Sequence, residues 1–382
     1  MANTITSLIP DLYSALDVVS RELVGFIPAV SRDSTFERAA VGQTVRSFVA
    51  PASTASNITP GVTPPDDGDQ TIGQVPLTLT KARRVPVRWN GEQSLGLNNG
   101  GPGVLNVRAQ QFAQAMRTLT NEIETDVAGL FVNASRASGT AGTTPFASNL
   151  SDPAAMRKIL SDNGQWTGDM HGVIDTTSGA ALRTLAQLTK ANEAGDTSML
   201  RQGEILNIHG FALRESAKVA QGVAVGTGAS YVTNAAAYPV GSTAITIATG
   251  TGTILPGDIV TFAGDTKNQY VVAAGVAAPG VLTIAAPGLQ QALPASAKAI
   301  TVVAAATRNM FFARHALQLA TRAPALPDGG DSAIDRHIIT DPRSGLSFEV
   351  AMYAQYRQMQ YEISAVWGVA CTKPEALALL LG

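Results

Sequence analysis

Three observations predict an α+β fold with a small all-β unit inserted into it. An apolar stripe at helical stride runs from Phe112 through Met116, Leu119, Ile123 and Val127 to Leu130, with steps of 4, 3, 4, 4 and 3. Between 222 and 307 the charge nearly vanishes, and short β-prone runs recur between Gly/Pro turns. Two period-2 runs follow near the end. Phe348, Val350, Met352, Ala354 and Tyr356 share one parity, and Met359, Tyr361, Ile363, Ala365 and Trp367 share the other.

Composition narrows the function classes. The 382 residues suffice for two or three domains, or for one domain with a large insertion. Charged residues are 15% against a typical ~25%, apolar residues 45%, and the formal net charge is −2. A strongly basic nucleic-acid binder is excluded on that balance. A single cysteine, Cys371, excludes an intrachain disulfide and a cysteine-cluster metal site, and its apolar surroundings suit a buried small residue. Apolar runs fall short of the ~20 residues that a membrane span needs, so no membrane partner is expected. The first residues show no secretory signal, so synthesis in the cytoplasm is expected.

Taken in order, residues 8–24 read as an amphipathic helix. Leu8, Leu12, Leu16, Val19 and Leu23 line one face, Pro10 and Asp11 suit its first turn, and Gly25 and Pro28 end it. One short stripe cannot be buried without a partner surface. Residues 50–90 read as a long extended arm. Asp66, Asp67 and Asp69 place acid near its tip, and Lys81, Arg83, Arg84 and Arg88 follow on the return strand. The stripe predicts a helix of about 30 residues over 103–136, about 45 Å long, long enough to be a spine. Ser151-Asp152-Pro153 suggests a helix cap with Pro at the first helical position. Val173–Asp175 reads as a buried strand, Ser178–Leu188 as a helix, and Ile205–Leu213 as a strand or hairpin.

In the charge-poor block the strand candidates are Ala244–Ala248, Asp258–Phe262, Tyr270–Ala273, Val281–Ile284 and Ala299–Val303, which suits a small barrel or a sandwich. A phase slip at Arg357-Gln358 marks a bend, bulge or turn. A last helix is expected from Pro374-Glu375.

Catalytic signals are poor. The sequence has no phosphate-binding G-x-x-x-x-G-K-[ST] loop, no G-x-S-x-G elbow and no H-E-x-x-H pair. His171, His209, His315 and His337 are scattered. The Asp66/Asp67/Asp69 trio lacks the Gly and distal Glu of a calcium loop. No catalytic residue, metal site or cofactor is assigned. The cations at 81–88 have two readings: a solvated strand face, or docking onto acidic groups of a neighbouring subunit.

Several stretches carry a resemblance to a known family. They are Met1-Ala-Asn-Thr-Ile-Thr with the 8–24 helix, Gly345-Leu-Ser-Phe-Glu-Val, Tyr353, Tyr356, Tyr361-Glu-Ile, Trp367-Gly-Val, Lys373-Pro-Glu and Leu379-Leu-Leu-Gly382. The chain resembles tailed-bacteriophage major capsid proteins of the Hong Kong 97 fold, and within them the gene-five coat proteins of short-tailed Salmonella phages. The likeness spans nearly the whole chain and is one of architecture.

It implies a division into an N-terminal arm (1–49), an extended loop (50–90), a peripheral domain with the spine helix (91–149) and a first axial part (150–221). An inserted β-barrel (222–307), an axial return (308–345) and peripheral strands with the C-terminus (346–382) follow. It also implies a non-enzymatic shell subunit of the virion, forming pentamers and hexamers around double-stranded DNA held non-specifically, with scaffolding protein and portal as further partners. The hypothesised inter-subunit residues are Leu12, Leu16, Val19, Asp66, Asp67, Asp69, Lys81, Arg83, Arg84 and Arg88. The competing readings are a cytosolic α/β enzyme with a β-rich lid, and another virion structural or decoration protein.

Overall fold

The computed structural model describes residues 25–49, 55–63, 68–98, 104–165, 168–189, 207–340 and 345–382. The predicted 8–24 helix, with Leu12, Leu16 and Val19, lies outside them, as do Asp66 and Asp67.

The first half of the chain alternates strands and helices. It runs β1 (Ser31–Ala39), β2 (Thr44–Val49), β3 (Gly73–Thr78), β4 (Lys81–Asn90), α1 (Gly91–Asn98), α2 (Val104–Ala128), β5 (Arg136–Ser138), α3 (Ser151–Asp162), β6 (Met170–Ile174), α4 (Thr176–Thr184), α5 (Ala186–Thr189), β7 (Asn207–Ile208) and β8 (Phe211–Glu215). Then come β9 (Ala229–Thr233), β10 (Ala244–Thr251), β11 (Thr253–Ile254), β12 (Ile259–Phe262), β13 (Asp265–Ala274), β14 (Val276–Ala277), β15 (Gly280–Ile284) and β16 (Ala299–Val302). The last six are β17 (Arg308–Ala313), β18 (Leu317–Pro324), β19 (Ala333–Thr340), β20 (Ser347–Gln355), β21 (Gln358–Cys371) and β22 (Leu377–Leu381).

Two large sheets sandwich a shared core. The first, labelled the peripheral sheet, runs β1-β18-β21-β20-β19, with β4 on the other edge of β21. The second, labelled the axial sheet, runs β5-β22-β17-β6-β8-β7. The spine helix α2 buries Phe112, Met116, Leu119, Ile123 and Val127 in one core with Phe348, Ile363 and Trp367 of the peripheral sheet and Met310, Phe312 and Leu377 of the axial sheet. The predicted stripe is the buried face. The α-helix stops at Ala128, and a 3-10 turn over Gly129–Asn133 carries Leu130. Twenty-five residues at 1.5 Å give about 37 Å. A second core packs α3 and α4, through Met156, Leu160 and Leu182, on the opposite face of the axial sheet.

The charge-poor block closes on itself. The pairings β12–β16, β16–β9, β9–β10, β10–β15, β15–β13 and β13–β12 form a ring of six strands. Its core includes Tyr231, Ile245, Phe262, Tyr270 and Leu282. One pairing fuses the ring to the axial sheet: Gln269 and Tyr270 of β13 face Ala137 and Arg136 of β5. Arg136 is buried and bonds outward to Asn268 Oδ1 of the ring and to the Ile159 carbonyl and Asn163 Oδ1 at the end of α3.

Several sequence expectations need correction. Residues 374–382 are not a helix: Pro374–Ala376 make one 3-10 turn, and β22 sits between β5 and β17. Leu377–Leu381 is buried at every position, and a strand covered on both faces has no alternation to read. Pro153 is not at the first helical position. α3 starts at Ser151, and Asp152 Oδ2 accepts the Phe146 N–H at 2.8 Å instead of capping the helix. The Ser178–Leu188 helix breaks at Leu185, whose ψ of 123° is extended.

The pairings also move domain boundaries. The hairpin starts at Thr44 rather than 50, because β2 pairs with β3. Lys81–Asn90 belongs to the peripheral sheet rather than to the arm. β18 and β19 lie in the peripheral sheet and only β17 of the 308–345 stretch is axial, whereas β22 is axial. The slip near Arg357 is the β20–β21 turn, with φ of +56° at Arg357.

Candidate assembly surface

The cations at 81–88 lie on β4, whose alternation splits them between two faces. Lys81, Arg83 and Trp89 point at the spine helix. Lys81 Nζ lies 2.7 Å from Asp126 Oδ1, Arg83 Nε 3.5 Å from Glu122 Oε2, and Trp89 Nε1 donates to Gln111 Oε1 at 2.9 Å. Two residues of strand advance about 6.7 Å and four residues of helix about 6 Å, so strand and helix can run side by side with matched contacts. Val85 and Val87 fill the apolar middle of this seam.

Arg84 and Arg88 face the other way. Arg84 Nη1 reaches Glu362 Oε2 at 2.7 Å, and Arg88 Nη2 reaches Gln360 Oε1 at 3.5 Å, both on the neighbouring β21. The Glu362 hydrogen bond and charge raise the Arg84 pKa. Lys81, Arg83 and Arg84 thus have carboxylate partners within the same chain. Arg83 and Arg84 remain more than half exposed, which leaves their outer sides open to a second partner.

Asp126 does double duty, accepting Lys81 on Oδ1 and the Trp367 indole N–H on Oδ2 at 2.8 Å. Next to Trp367, Gly368 admits the root of the hairpin. A Cβ there would overlap the Thr78 carbonyl oxygen and lie 2.8 Å from its carbon. The root is sealed by Ala39, Leu77, Leu79, Ala320 and Val366. Beyond it the hairpin carries exposed apolar side chains: Phe48, Ile58, Val62 and Ile72. Asp69 is exposed on the same arm.

Sequence reasoning missed two features. Glu124, on the inner side of α2 and 5% exposed, accepts the backbone N–H groups of Phe26 at 2.6 Å and Ile27 at 3.1 Å and the Ser216 hydroxyl at 2.9 Å. It anchors the N-terminal segment to the spine. Burial raises its pKa, against the lowering effect of these bonds and of Lys218. Its one sequence signal was a carboxylate beside the apolar stripe. The other feature is a cavity of about 400 Å³ at the far end of β4, lined by residues including Trp89, Arg108, Arg357 and Tyr361. Among the described residues no cluster of three His, Cys, Asp or Glu side chains is placed to hold a metal ion. No described helix is long and apolar enough to cross a membrane.

Compared with solved structures, the chain is similar to the capsid of cyanophage P-SCSP1u. The TM-score is 0.50 at 11% sequence identity, covering 94% of this chain and 88% of that one. It is also similar to the capsid of a native GTA particle, with TM-score 0.48, 11% identity, and 94% and 89% of the two chains covered. No family profile matches the sequence, and no curated protein does. The chain has the fold of a tailed-phage major capsid protein.

Proposed function

We propose that this chain is the shell-forming subunit of a phage-type capsid. The observation that carries the reading is the cyanophage capsid likeness over 94% of the chain. The exposed apolar hairpin supports it, because a closed shell needs each copy to reach its neighbours through repeated heterologous contacts. In this reading copies form pentamers and hexamers of an icosahedral shell in the virion, made in the host cytoplasm and enclosing double-stranded DNA. Scaffolding protein and portal act as assembly partners. The role is structural rather than catalytic. The closed strand ring between 222 and 307 supports the finer likeness to gene-five coat proteins, with that ring as the inserted barrel.

The stripe Leu12, Leu16 and Val19 packs on the shell or on scaffolding protein. The Asp66, Asp67 and Asp69 tip and the outer sides of Lys81, Arg83, Arg84 and Arg88 meet neighbouring copies. Each exposed ion pair contributes only ~0.2–1 kcal/mol, but a shell repeats the contact many times.

The test is sedimentation and negative-stain microscopy of the full chain, alone and with candidate scaffolding protein. Closed shells in either sample are expected. Small oligomers in both would refute the proposal. Leu16→Asp is expected to leave soluble subunits that assemble poorly, and normal shells from it would remove the N-terminal stripe from the assembly surface.

A further inference from the structure

The cavity at the far end of β4 collects positive charge that the chain leaves unmatched. Its volume of about 400 Å³ falls within the ~300–1,000 Å³ of ligand sites and far exceeds what a lone ion fills. The start of α1 closes it on one side, and the β20–β21 turn on the other. Arg108 and Arg357 both line it, and among the described residues no Asp or Glu does.

Neither guanidinium is saturated. Arg108 Nη1 donates to the Tyr361 hydroxyl at 3.1 Å, and its guanidinium carbon lies 5.3 Å from the centre of that ring. Its Nε is buried without a partner, and among the described residues no carboxylate meets it. Arg357 is exposed in the turn, and its guanidinium carbon lies 5.9 Å from the Tyr356 ring centre. Among the described residues it makes no hydrogen bond or ion pair. The β4 cations differ, because Lys81, Arg83 and Arg84 already meet carboxylates. The rest of the lining suits a peptide. Trp89 and Tyr361 are aromatic walls, of the kind that Pro-rich segments dock against. Asn90 Oδ1 and Gln358 Nε2 are used within the chain, which leaves Asn90 Nδ2 to donate and Gln358 Oε1 to accept.

The sequence holds a segment that answers this lining. Pro64-Pro65-Asp66-Asp67-Gly68-Asp69 sets two prolines beside three carboxylates. Asp69 is exposed and makes no hydrogen bond or ion pair among the described residues. The root of the chain's own hairpin meets β21 at Gly368, ten residues beyond Gln358 and about 33 Å along the strand. We infer that this cavity seats the acidic hairpin tip, residues 64–69, of a second copy of the chain. The carboxylates meet Arg108 and Arg357, and the prolines lie against Trp89 and Tyr361. The choice of a second copy rests on the capsid reading; the acidic-peptide site itself does not.

The test has two arms. In the first, a peptide of residues 62–71 is titrated into the full-length subunit by calorimetry. A peptide with Asp66→Asn, Asp67→Asn and Asp69→Asn, and inorganic phosphate, are titrated beside it. Arg108→Gln and Arg357→Gln are each expected to weaken binding of the acidic peptide by about tenfold. Arg108→Lys, which keeps the charge and loses the fork, is expected to restore part of it. Arg357→Gln, at an exposed side chain, decides the matter should Arg108→Gln melt early. Equal binding of both peptides, or unchanged binding in both Gln variants, would overturn the seat. Phosphate binding without peptide binding would make the cavity a plain anion site and overturn the proposal. In the second arm, Asp69→Cys subunits are mixed with Gln358→Cys subunits, assembled, and treated with a bifunctional thiol crosslinker. A crosslinked pair of the two variants is expected. Shells without that pair would overturn the seat and leave the capsid reading standing. No shells at all would count against the capsid reading, and the peptide arm alone would then decide the seat.

Discussion

Removing the Glu124 carboxylate isolates the contact that anchors the N-terminal segment to the spine helix. Glu124→Ala orphans the buried Phe26 and Ile27 N–H groups and frees the Ser216 hydroxyl. Hydrogen bonds to a charged group contribute about 1.5–3 kcal/mol each, and a buried orphan donor costs about 1–3 kcal/mol. Relief of the buried charge offsets part of that loss. The expected net destabilisation is about 2–4 kcal/mol at pH 7, read as a lower urea midpoint by tryptophan fluorescence with an unchanged slope.

Glu124→Gln keeps an oxygen for Phe26 and turns an amide toward Ile27, so about 1–2 kcal/mol is expected. The pH dependence adds a second readout. Burial raises the folded carboxyl above its ordinary 4.5. Between the unfolded and folded values the folded chain holds the extra proton, so wild-type stability falls as pH rises through that window. The Gln variant has no such slope at this site. Wild type is therefore expected to lose ground to Gln as pH rises from about 4.5. A loss below about 0.5 kcal/mol in Glu124→Ala, or the opposite pH trend, would refute the argument.

Three further outcomes are expected. Gly368→Ala forces the hairpin root off the peripheral sheet, and overpacking of this kind costs about 1–3 kcal/mol; limited proteolysis of the hairpin and a lower Tm check it. The fragment 222–307 is expected to fold alone, because its ring of pairings and its core are internal; a disordered circular-dichroism spectrum would count against that independence. Burial pushes the Cys371 thiol up to about 12, so at pH 8 its reaction with a disulfide reagent should be about 10³-fold slower than that of a free cysteine, whose pKa is ~8.5.

Much of the fold was legible where a period was written into the sequence. The 4/3 stride gave α2, and the parity change at Arg357 marked the turn between β20 and β21. All five strand candidates in the charge-poor block have counterparts, and only β9 among the ring strands was missed. Legibility failed where burial on both faces erased the period, as in Leu377–Leu381. It failed too where the partner is far along the chain. Arg84 meets Glu362 and Glu124 meets Phe26, and no local pattern announces a contact across 278 or 98 residues. The cations were found, but their carboxylates on α2 and β21 were not, because the alternation of β4 fixes faces and not partners.

The position of β22 has a consequence for the order of events during synthesis. Its neighbours in the sheet are β5, made some 240 residues earlier, and β17. At about 5–20 residues per second, β5 waits roughly 10–50 s for its partner. Until then the slot between Arg136–Ser138 and Arg308–Ala313 stands open, lined by side chains that end up buried. Helix α2, the hairpin and the strand ring can all form on the ribosome, but the axial sheet cannot close. A nascent chain therefore cannot complete the axial sheet before β22 is made, so the last of these strands times the closing of the second core.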